Sequence, residues 1–283
     1  MKINYQGEII DKEAFNISLN NRAFRYADGL FESIKYANGE LQFLEDHYFR
    51  LMGSMRFLRF DIPMDWTLDF LAQELMKTIE ANNLLDQPVR LRMQVYRDGE
   101  GRYLPTSLAP CFVIEAEEMD DVDYPLNEKG LVLDVFQYHH KPSGLLSNMK
   151  TLSAQIYTLA AIFAKENKLD DALLTNENGL LLETSKANIF LIQGKKLLTP
   201  SLKSGCLKGI IRKVILDHAD DWGYEVVEAE IRPFDLVKSE AVFLTNVSQG
   251  IVWVEQYKKK VFKREPVQEI SAHLNAMLSS TMD

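Results

Sequence analysis

The sequence predicts an α+β protein of two domains. Its helical patterns and strands are mixed, without the regular strand–helix alternation of a doubly wound parallel sheet. Its 283 residues exceed the size of a typical single domain. Hydrophobic residues make up 46% and charged residues 26%, which is ordinary for a soluble globular protein. We therefore expect two separately packed units.

The first part of the chain predicts an α/β unit built on hairpins. Two short apolar runs flank Gln6-Gly7, and two longer ones flank Asn38-Gly39, a dipeptide typical of tight hairpin turns. Apolar residues then recur at helical spacing in two stretches. The predicted strands are 3–5, 8–10, 30–36, 41–44, 89–96 and 111–116, and the predicted helices are 47–58 and 66–79.

An acidic stretch that is poor in core residues, 117–125, predicts a boundary between domains. We place a small N-terminal α/β domain at 1–119, a linker at 120–127 and a larger C-terminal domain at 128–283. In the second domain we predict strands at 131–135, 172–175, 180–183, 187–192 and 241–245, and helices at 156–165, 210–219 and 269–278.

Charge and cysteine content restrict the partners. With 41 acidic and 32 basic residues, the net charge of −9 disfavours nucleic acid and anionic membranes. Cys111 and Cys206 are the only cysteines, so no disulfide framework is expected. The N-terminus lacks the apolar core of a signal peptide, and no apolar run approaches the roughly 18–20 residues of a membrane span. We expect a cytoplasmic protein.

No metal site is expected, since adjacent His139 and His140 would diverge on a strand.

Three features together indicate pyridoxal 5′-phosphate (PLP). Lys150 precedes an apolar helical run, Glu183 ends a strand of leucines, and Gly209 opens a helix. An amine can form a Schiff base, a carboxylate can keep a pyridine nitrogen protonated, and a helix start can bind phosphate. A position at a helix start would also lower the pKa of the Lys150 amine, because the helix dipole opposes a cation there.

Each of these residues also has an ordinary explanation when it is taken alone. Lys150 could be a solvated lysine, and Glu183 a strand-end carboxylate that faces water. Arg50 could clamp a phosphate, but it could equally be a surface arginine paired with Glu45 or Asp46 on its helix. Only the ordered set of these residues indicates a common function.

That set resembles the class IV aminotransferases of PLP fold type IV, the D-amino acid aminotransferase-like fold. The group includes branched-chain and D-amino acid aminotransferases and 4-amino-4-deoxychorismate lyases. Ile211 stands where a threonine is usual in the phosphate turn G-I-T-R. The matching elements, in order between residues 20 and 254, are NRAFRYADGLFE at 21–32, HYFRL at 47–51, Lys150, ETSKANIF at 183–190 and GIIR at 209–212.

The resemblance implies a larger C-terminal domain with a barrel-like sheet, and PLP between the two domains. It also implies a homodimer, in which a loop of one subunit reaches the site of the other. Lys150 would be the catalytic Schiff-base lysine, and Tyr26, Glu32 and Arg102 would lie near the substrate. The implied PLP-binding residues are Arg50, Lys150, Glu183, Gly209, Ile210, Ile211, Asn246 and Val247.

We expect an aminotransferase that moves an amino group between an amino acid and a 2-oxo acid. Glu32 favours this, because some lyases have a threonine there. One alternative is a 4-amino-4-deoxychorismate lyase that releases pyruvate and 4-aminobenzoate. The lyase-like loop 97–102 and Asn246 favour it, whereas Gln155, in place of the tyrosine of branched-chain enzymes, argues only against a branched-chain enzyme. A second alternative is a non-catalytic, dimeric PLP-binding protein.

Overall fold

The computed structural model describes residues 1–280, so the last three residues of the predicted C-terminal domain lie outside it. The chain forms two compact units. Unit 1 comprises Met1–Val122 and Met149–Ser153, and unit 2 comprises the rest. The sequence-based division assigned all of 128–283 to one domain, whereas the short segment that carries Lys150 belongs to unit 1.

Unit 1 is a six-stranded antiparallel sheet with two long helices packed on it. The strand order is β2-β1-β6-β5-β3-β4. Fully buried apolar side chains such as Ile34, Leu75, Ile79 and Leu91 form the core of this unit. The elements are β1 (Lys2–Tyr5), β2 (Glu8–Asp11), α1 (Arg22–Tyr26), β3 (Gly29–Ala37), β4 (Glu40–Leu41), α2 (Leu44–Phe57), α3 (Leu68–Ala81), β5 (Val89–Arg97) and β6 (Pro110–Glu118).

Unit 2 contains a nine-stranded sheet and four helices in the part of the chain that the structure describes. Its elements are β7 (Leu131–Val135), α4 (Gln155–Glu166), β8 (Asp171–Thr175), β9 (Leu181–Thr184), β10 (Asn188–Gln193), β11 (Lys196–Pro200), α5 (Ile210–His218), β12 (Glu225–Ala229), α6 (Pro233–Lys238), β13 (Ala241–Asn246), β14 (Gly250–Tyr257), β15 (Lys260–Val261) and α7 (Glu265–Ser280).

Six strands of this sheet close on themselves, which confirms the predicted barrel-like sheet. The ring runs β10-β13-β14-β7-β8-β9 and returns to β10. The closing contact is the pairing of Glu183 on β9 with Asn188 on β10. The other end of β10 pairs with β11, which in turn pairs in parallel with β12. The point of closure therefore coincides with a predicted site residue.

Lys150 is not at a helix start. Helix α4 begins at Gln155, and the residues around Lys150 are extended and pair with β3. The Phe31 N–H donates to the Lys150 carbonyl at 2.9 Å, and the Leu152 N–H donates to the Gly29 carbonyl at 3.0 Å. The predicted effect of a helix dipole on the Lys150 amine is therefore wrong, because dipole effects fade within the first turn.

Within residues 1–280, every helix is too short or too polar to cross a membrane. In the same range, no group of three or more His, Cys, Asp or Glu side chains is arranged to hold a metal ion.

Candidate active site

Unit 1 contains a buried ion pair between Glu32 and Arg50. Glu32 points to the same side of β3 as Leu30 and Ile34, because side chains alternate along a strand. Arg50 and His47, three residues apart on α2, share a helix face. The Arg50 Nε donates to Glu32 Oε1 at 2.8 Å, and Arg50 Nη2 donates to Oε2. His47 Nδ1 donates to the same Oε2 at 2.7 Å. The partner of Arg50 is thus Glu32, which is only 2% exposed.

These contacts fix the protonation of the group. Burial favours the neutral form of Glu32, but the Arg50 guanidinium and the His47 ring outweigh it and lower the pKa of Glu32 to about 2. Burial lowers the pKa of His47, against the pull of the Glu32 carboxylate. At neutral pH Glu32 is therefore a carboxylate that accepts hydrogen bonds, and His47 is a neutral donor.

The Lys150 side chain lies against an aromatic ring of unit 1. Its Nζ is 4.3 Å from the centroid of the Phe31 ring, and the Arg92 guanidinium is 4.0 Å from the same centroid. Such cation–π contacts orient an amine without neutralising it. The positive charge of Lys150 also contributes to the lowered pKa of His47, so the amine lies within electrostatic range of the Glu32 group.

Tyr26 and Arg102 line a cavity of about 500 Å³ in unit 1, apart from buried Glu32. Buried Arg22 holds the loop that carries Arg102: its Nη1 donates to the Arg102 carbonyl at 2.6 Å, and its Nε donates to Asp28 at 2.7 Å. Arg22 and Asp28 were not predicted as site residues, although both stand in the family-like run 21–32. The cavity is lined by Asn20, Arg25, Tyr26, Glu100, Gly101, Arg102 and Tyr103.

Unit 2 holds Glu183 in a set of four donors. Oε1 accepts from Lys141 Nζ at 2.6 Å and from the Tyr157 hydroxyl at 2.8 Å. Oε2 accepts from the Leu207 N–H at 2.8 Å and from the Asn188 side-chain amide at 3.4 Å. Glu183 is 2% exposed, so it is not a strand-end carboxylate that faces water.

Sequence reasoning missed Lys141 and Tyr157. Lys141 is 5% exposed, and its Nζ also donates to the Ser147 carbonyl at 2.8 Å. Burial, and then the charge of Glu183, raise the pKa of Tyr157, so its hydroxyl stays protonated and donates. Lys141 gave no signal, since nothing in its sequence neighbourhood distinguishes it from a surface lysine. Tyr157 is two residues beyond Gln155, the position at which branched-chain enzymes have a tyrosine.

A glycine-led helix start lies beside Glu183. Gly209 is the N-cap of α5 and supplies no capping side chain, so the N–H groups of Ile210 and Ile211 stand at the first helical positions. A Cβ at Gly209 would lie 1.9 Å from Asn188 Oδ1. Only glycine permits this approach, and the same Asn188 donates to Glu183 and to the Leu207 carbonyl.

The turn after β13 is stabilised by the side chain of Asn246. Asn246 Oδ1 accepts from the N–H groups of Ser248 and Gln249, at 3.0 and 2.9 Å. Ser248 N–H is therefore already used within the turn. The Val247 carbonyl accepts from the Tyr124 hydroxyl at 2.8 Å. The predicted residues Asn246 and Val247 thus form one ordered turn that follows Thr245.

Thr245 carries an unmatched polar atom in the same row as Glu183. Across neighbouring strands Glu183 pairs with Asn188, and Asn188 pairs with Thr245, so the three lie side by side. Thr245 Oγ1 is buried and has no hydrogen-bond partner within the part of the chain that the structure describes. A buried hydroxyl without a partner is costly, which is the property expected of a group that receives a ligand.

The two units contain different kinds of ligand-binding group. Unit 1 supplies a primary amine at Lys150 and a guanidinium at Arg50. Unit 2 supplies the Glu183 carboxylate, the N-terminus of α5 and the unmatched Thr245 hydroxyl. Amines bind aldehydes, carboxylates bind protonated ring nitrogens, and helix N-termini bind phosphates.

The comparisons with known proteins agree with this chemistry. Residues 29–257 match the family model of the class IV amino-transferases. A Methanocaldococcus jannaschii protein, provisionally named a branched-chain-amino-acid aminotransferase, is 29% identical over 97% of this chain and 94% of its own. An aminodeoxychorismate lyase from Vibrio harveyi is 24% identical over 94% of this chain and 96% of its own.

A solved structure shows the same fold. The branched-chain aminotransferase of Thermoproteus uzoniensis, determined with norvaline, superposes with a TM-score of 0.86 at 25% identity, over 96% of this chain and 93% of that chain. The family match covers most of the chain, and the structural match covers nearly all of it. This chain belongs to the class IV aminotransferase family.

Proposed function

We propose that this protein is a PLP-dependent aminotransferase that moves an amino group between an amino acid and a 2-oxo acid. The observation that carries the proposal is the buried carboxylate of Glu183 beside a glycine-led helix start, in a chain of this family that also has Lys150. When bound, PLP supplies a conjugated ring that withdraws electrons from the substrate α-carbon.

Lys150 has two roles in this proposal. Its amine would hold the cofactor by its aldehyde until an incoming amino acid took its place. The freed amine would then act as the general base that takes the proton from the substrate α-carbon. Phe31, which contacts Nζ, keeps the amine oriented.

The remaining predicted residues bind and orient. The Glu183 carboxylate would accept a hydrogen bond from the protonated ring nitrogen, and Arg50 and the start of α5 would bind the phosphate. Asn246 and Val247 contribute their ordered turn to phosphate binding. Arg102 and Tyr26, which line the cavity of unit 1, bind the substrate carboxylate. We also propose the homodimer implied by the family, which light scattering would test.

A 4-amino-4-deoxychorismate lyase is the second candidate, because a relative named for this activity matches nearly the whole chain. The state of Glu32 bears on it. Its pKa of about 2 and its bond to Arg50 mean that Glu32 holds no proton to donate at neutral pH. A lyase reaction here would need its proton from another group, and Lys150 is the one that the proposal supplies.

Spectroscopy of the purified protein tests the proposal. Added PLP should give a lysine–cofactor absorbance at roughly 400–430 nm. Lys150→Ala should abolish this absorbance, and an unchanged spectrum in that variant would overturn the role of Lys150. Lys165→Ala, an exposed lysine near the end of α4, is the matched control.

Assays of turnover separate the three candidate functions. An aminotransferase needs a 2-oxo acid acceptor for continuous turnover. Pyruvate released without any acceptor would identify the lyase. Binding of PLP with no spectral response to any amino donor would identify the non-catalytic protein.

A further inference from the structure

Lys141 is a buried cation that the proposed function has not yet used. Its Nζ donates to Glu183 Oε1 and to the Ser147 carbonyl, and it lies 5.5 Å from the centroid of the Tyr157 ring. The Lys141 N–H donates to the Thr175 carbonyl at 2.9 Å, which fixes the backbone as well. The ammonium is therefore held in one place by contacts that all lie within unit 2.

Stability alone is a poor explanation for this pair. Burying a lysine and a glutamate costs desolvation energy that their attraction often fails to repay, and an apolar pair of similar volume is frequently as stable. Both Lys141 and Glu183 are almost fully buried. The pair therefore points to a specific use of the charge at this position.

The contacts of Glu183 show which oxygen has room for another donor. A carboxylate has about four acceptor positions, two on each oxygen. Oε1 receives Lys141 and Tyr157 at short distances, so it is fully used. Oε2 receives a short bond from the Leu207 N–H but only a 3.4 Å contact from Asn188. A further donor would approach Oε2.

We propose that Lys141 is a positioning residue, which fixes the Glu183 carboxylate through Oε1 and shares its negative charge with the ring nitrogen of the cofactor. The inference rests on the proposed function, since it assumes that Glu183 faces that nitrogen. It adds a residue that sets how strongly Glu183 attracts the ring.

The physical consequence has a definite sign. Two cations on one buried carboxylate repel each other, so each weakens the hold of the carboxylate on the other. With Lys141 in place, the ring nitrogen keeps its proton less firmly than it would beside Glu183 alone. Removal of the ammonium should therefore strengthen binding of a protonated ring, whereas damage to the fold would weaken binding.

Pyridoxine 5′-phosphate is the probe. It has the ring nitrogen and the phosphate of PLP but no aldehyde, so it reports these contacts without reaction at Lys150. Its affinity for the full-length protein would be measured by calorimetry at several pH values between about pH 6 and pH 9, so that the dependence on ring protonation can be followed. Lys141→Met should bind it about tenfold more tightly at the alkaline end, the effect of a one-unit change in ring pKa.

Three comparisons make the result decisive. Lys141→Arg keeps the charge and should retain the wild-type affinity and pH profile. Adding Glu183→Gln to Lys141→Met should remove the gain. If the methionine variant does not fold by circular dichroism, Lys141→Gln should show a smaller gain in the same direction. Equal or weaker binding in a folded neutral variant, at every pH, overturns the proposal.

Failure of the inference can be told apart from failure of the proposed function. If PLP absorbance depends on Lys150 but Lys141→Met binds the probe no more tightly, the function stands and Lys141 is only structural. If PLP gives no adduct and pyridoxine 5′-phosphate does not bind the wild-type protein, the proposed function fails and the inference fails with it.

Discussion

Glu32 in unit 1 and Glu183 in unit 2 are both buried carboxylates paired with a buried cation, but their surroundings differ. Glu32 meets a guanidinium that contacts both of its oxygens, and one imidazole. Glu183 meets one amine, a phenol, a side-chain amide and a backbone N–H, which come from separate segments. Glu32 is therefore held mainly by one bidentate pair, whereas Glu183 accepts hydrogen bonds from four donors of different kinds.

This difference teaches how the same charge serves two purposes. A guanidinium and a carboxylate match in geometry and hold each other in a fixed plane. Glu32 is thus paired with Arg50 through Nε and Nη2, so the phosphate contact that we propose for Arg50 would have to come from another side of the guanidinium. An ammonium is a point charge, so Lys141 leaves the Glu183 carboxylate able to attract a further cation.

Replacing each carboxylate by its amide should reveal the largest difference between the two sites. Glu32→Gln leaves a guanidinium buried without its counter-ion and should lower the free energy of unfolding by about 3–5 kcal/mol. Glu183→Gln should cost less, about 1–3 kcal/mol, because Lys141 keeps the Ser147 carbonyl as an acceptor. Urea unfolding of the cofactor-free proteins measures both losses. An equal loss in the two variants would contradict the distinction.

Acid should test the Glu32 side of the comparison next. The pKa of Glu32 is about 2 in the folded protein against an ordinary value of 4.5, so its ionisation contributes about 3 kcal/mol above pH 4.5. Because the folded pKa is the lower one, this contribution is lost as the pH falls from 4.5 towards 2. The difference in unfolding free energy between wild type and Glu32→Gln should therefore shrink across this window. A constant difference in urea unfolding would show that Glu32 titrates normally.

Gly209→Ala should have a smaller effect, which is confined to the surroundings of Glu183 and lowers PLP affinity. The new Cβ would collide with Asn188 Oδ1 and displace an amide that donates to Glu183. Strain of this kind costs about 1–3 kcal/mol, and if it falls on the ligand-binding arrangement it lowers PLP affinity about 5- to 150-fold. Gly53→Ala is the control, because a Cβ on that glycine of α2 meets nothing within 4 Å. Equal PLP affinity in the two variants would refute this account.

Local patterns predicted much of the fold. The Asn38-Gly39 turn joins β3 and β4 with positive φ at both residues, as its residue types require. The spacing of Leu71, Leu75 and Ile79 predicted α3, and all three are buried. Sequence reasoning did not find β11 or β12. β11 is a short strand that pairs with the adjacent β10, whereas β12 pairs in parallel with a segment distant along the chain, and the adjacent Val226 and Val227 at its centre give no alternating pattern.

The site was predicted only in part, for a related reason. Glu183 and Gly209 stand in motifs, so residue type and order sufficed to select them. The burial of Lys141 depends on Ser147, Thr175 and Glu183 meeting it in three dimensions. The segment that carries Lys150 belongs to unit 1 because it forms backbone hydrogen bonds with β3. Such bonds produce no periodic pattern in the sequence from which they could be predicted.

The strand ring of unit 2 is sealed by a single residue pair, Glu183 with Asn188. A tight link follows directly, in which the Thr184 N–H donates to the Ala187 carbonyl at 2.8 Å. The pairing that closes the barrel thus involves Glu183, which is proposed to bind the ligand. Ligand binding at Glu183 should stabilise this pairing, so amide hydrogen exchange at Thr184 should slow when the protein is loaded.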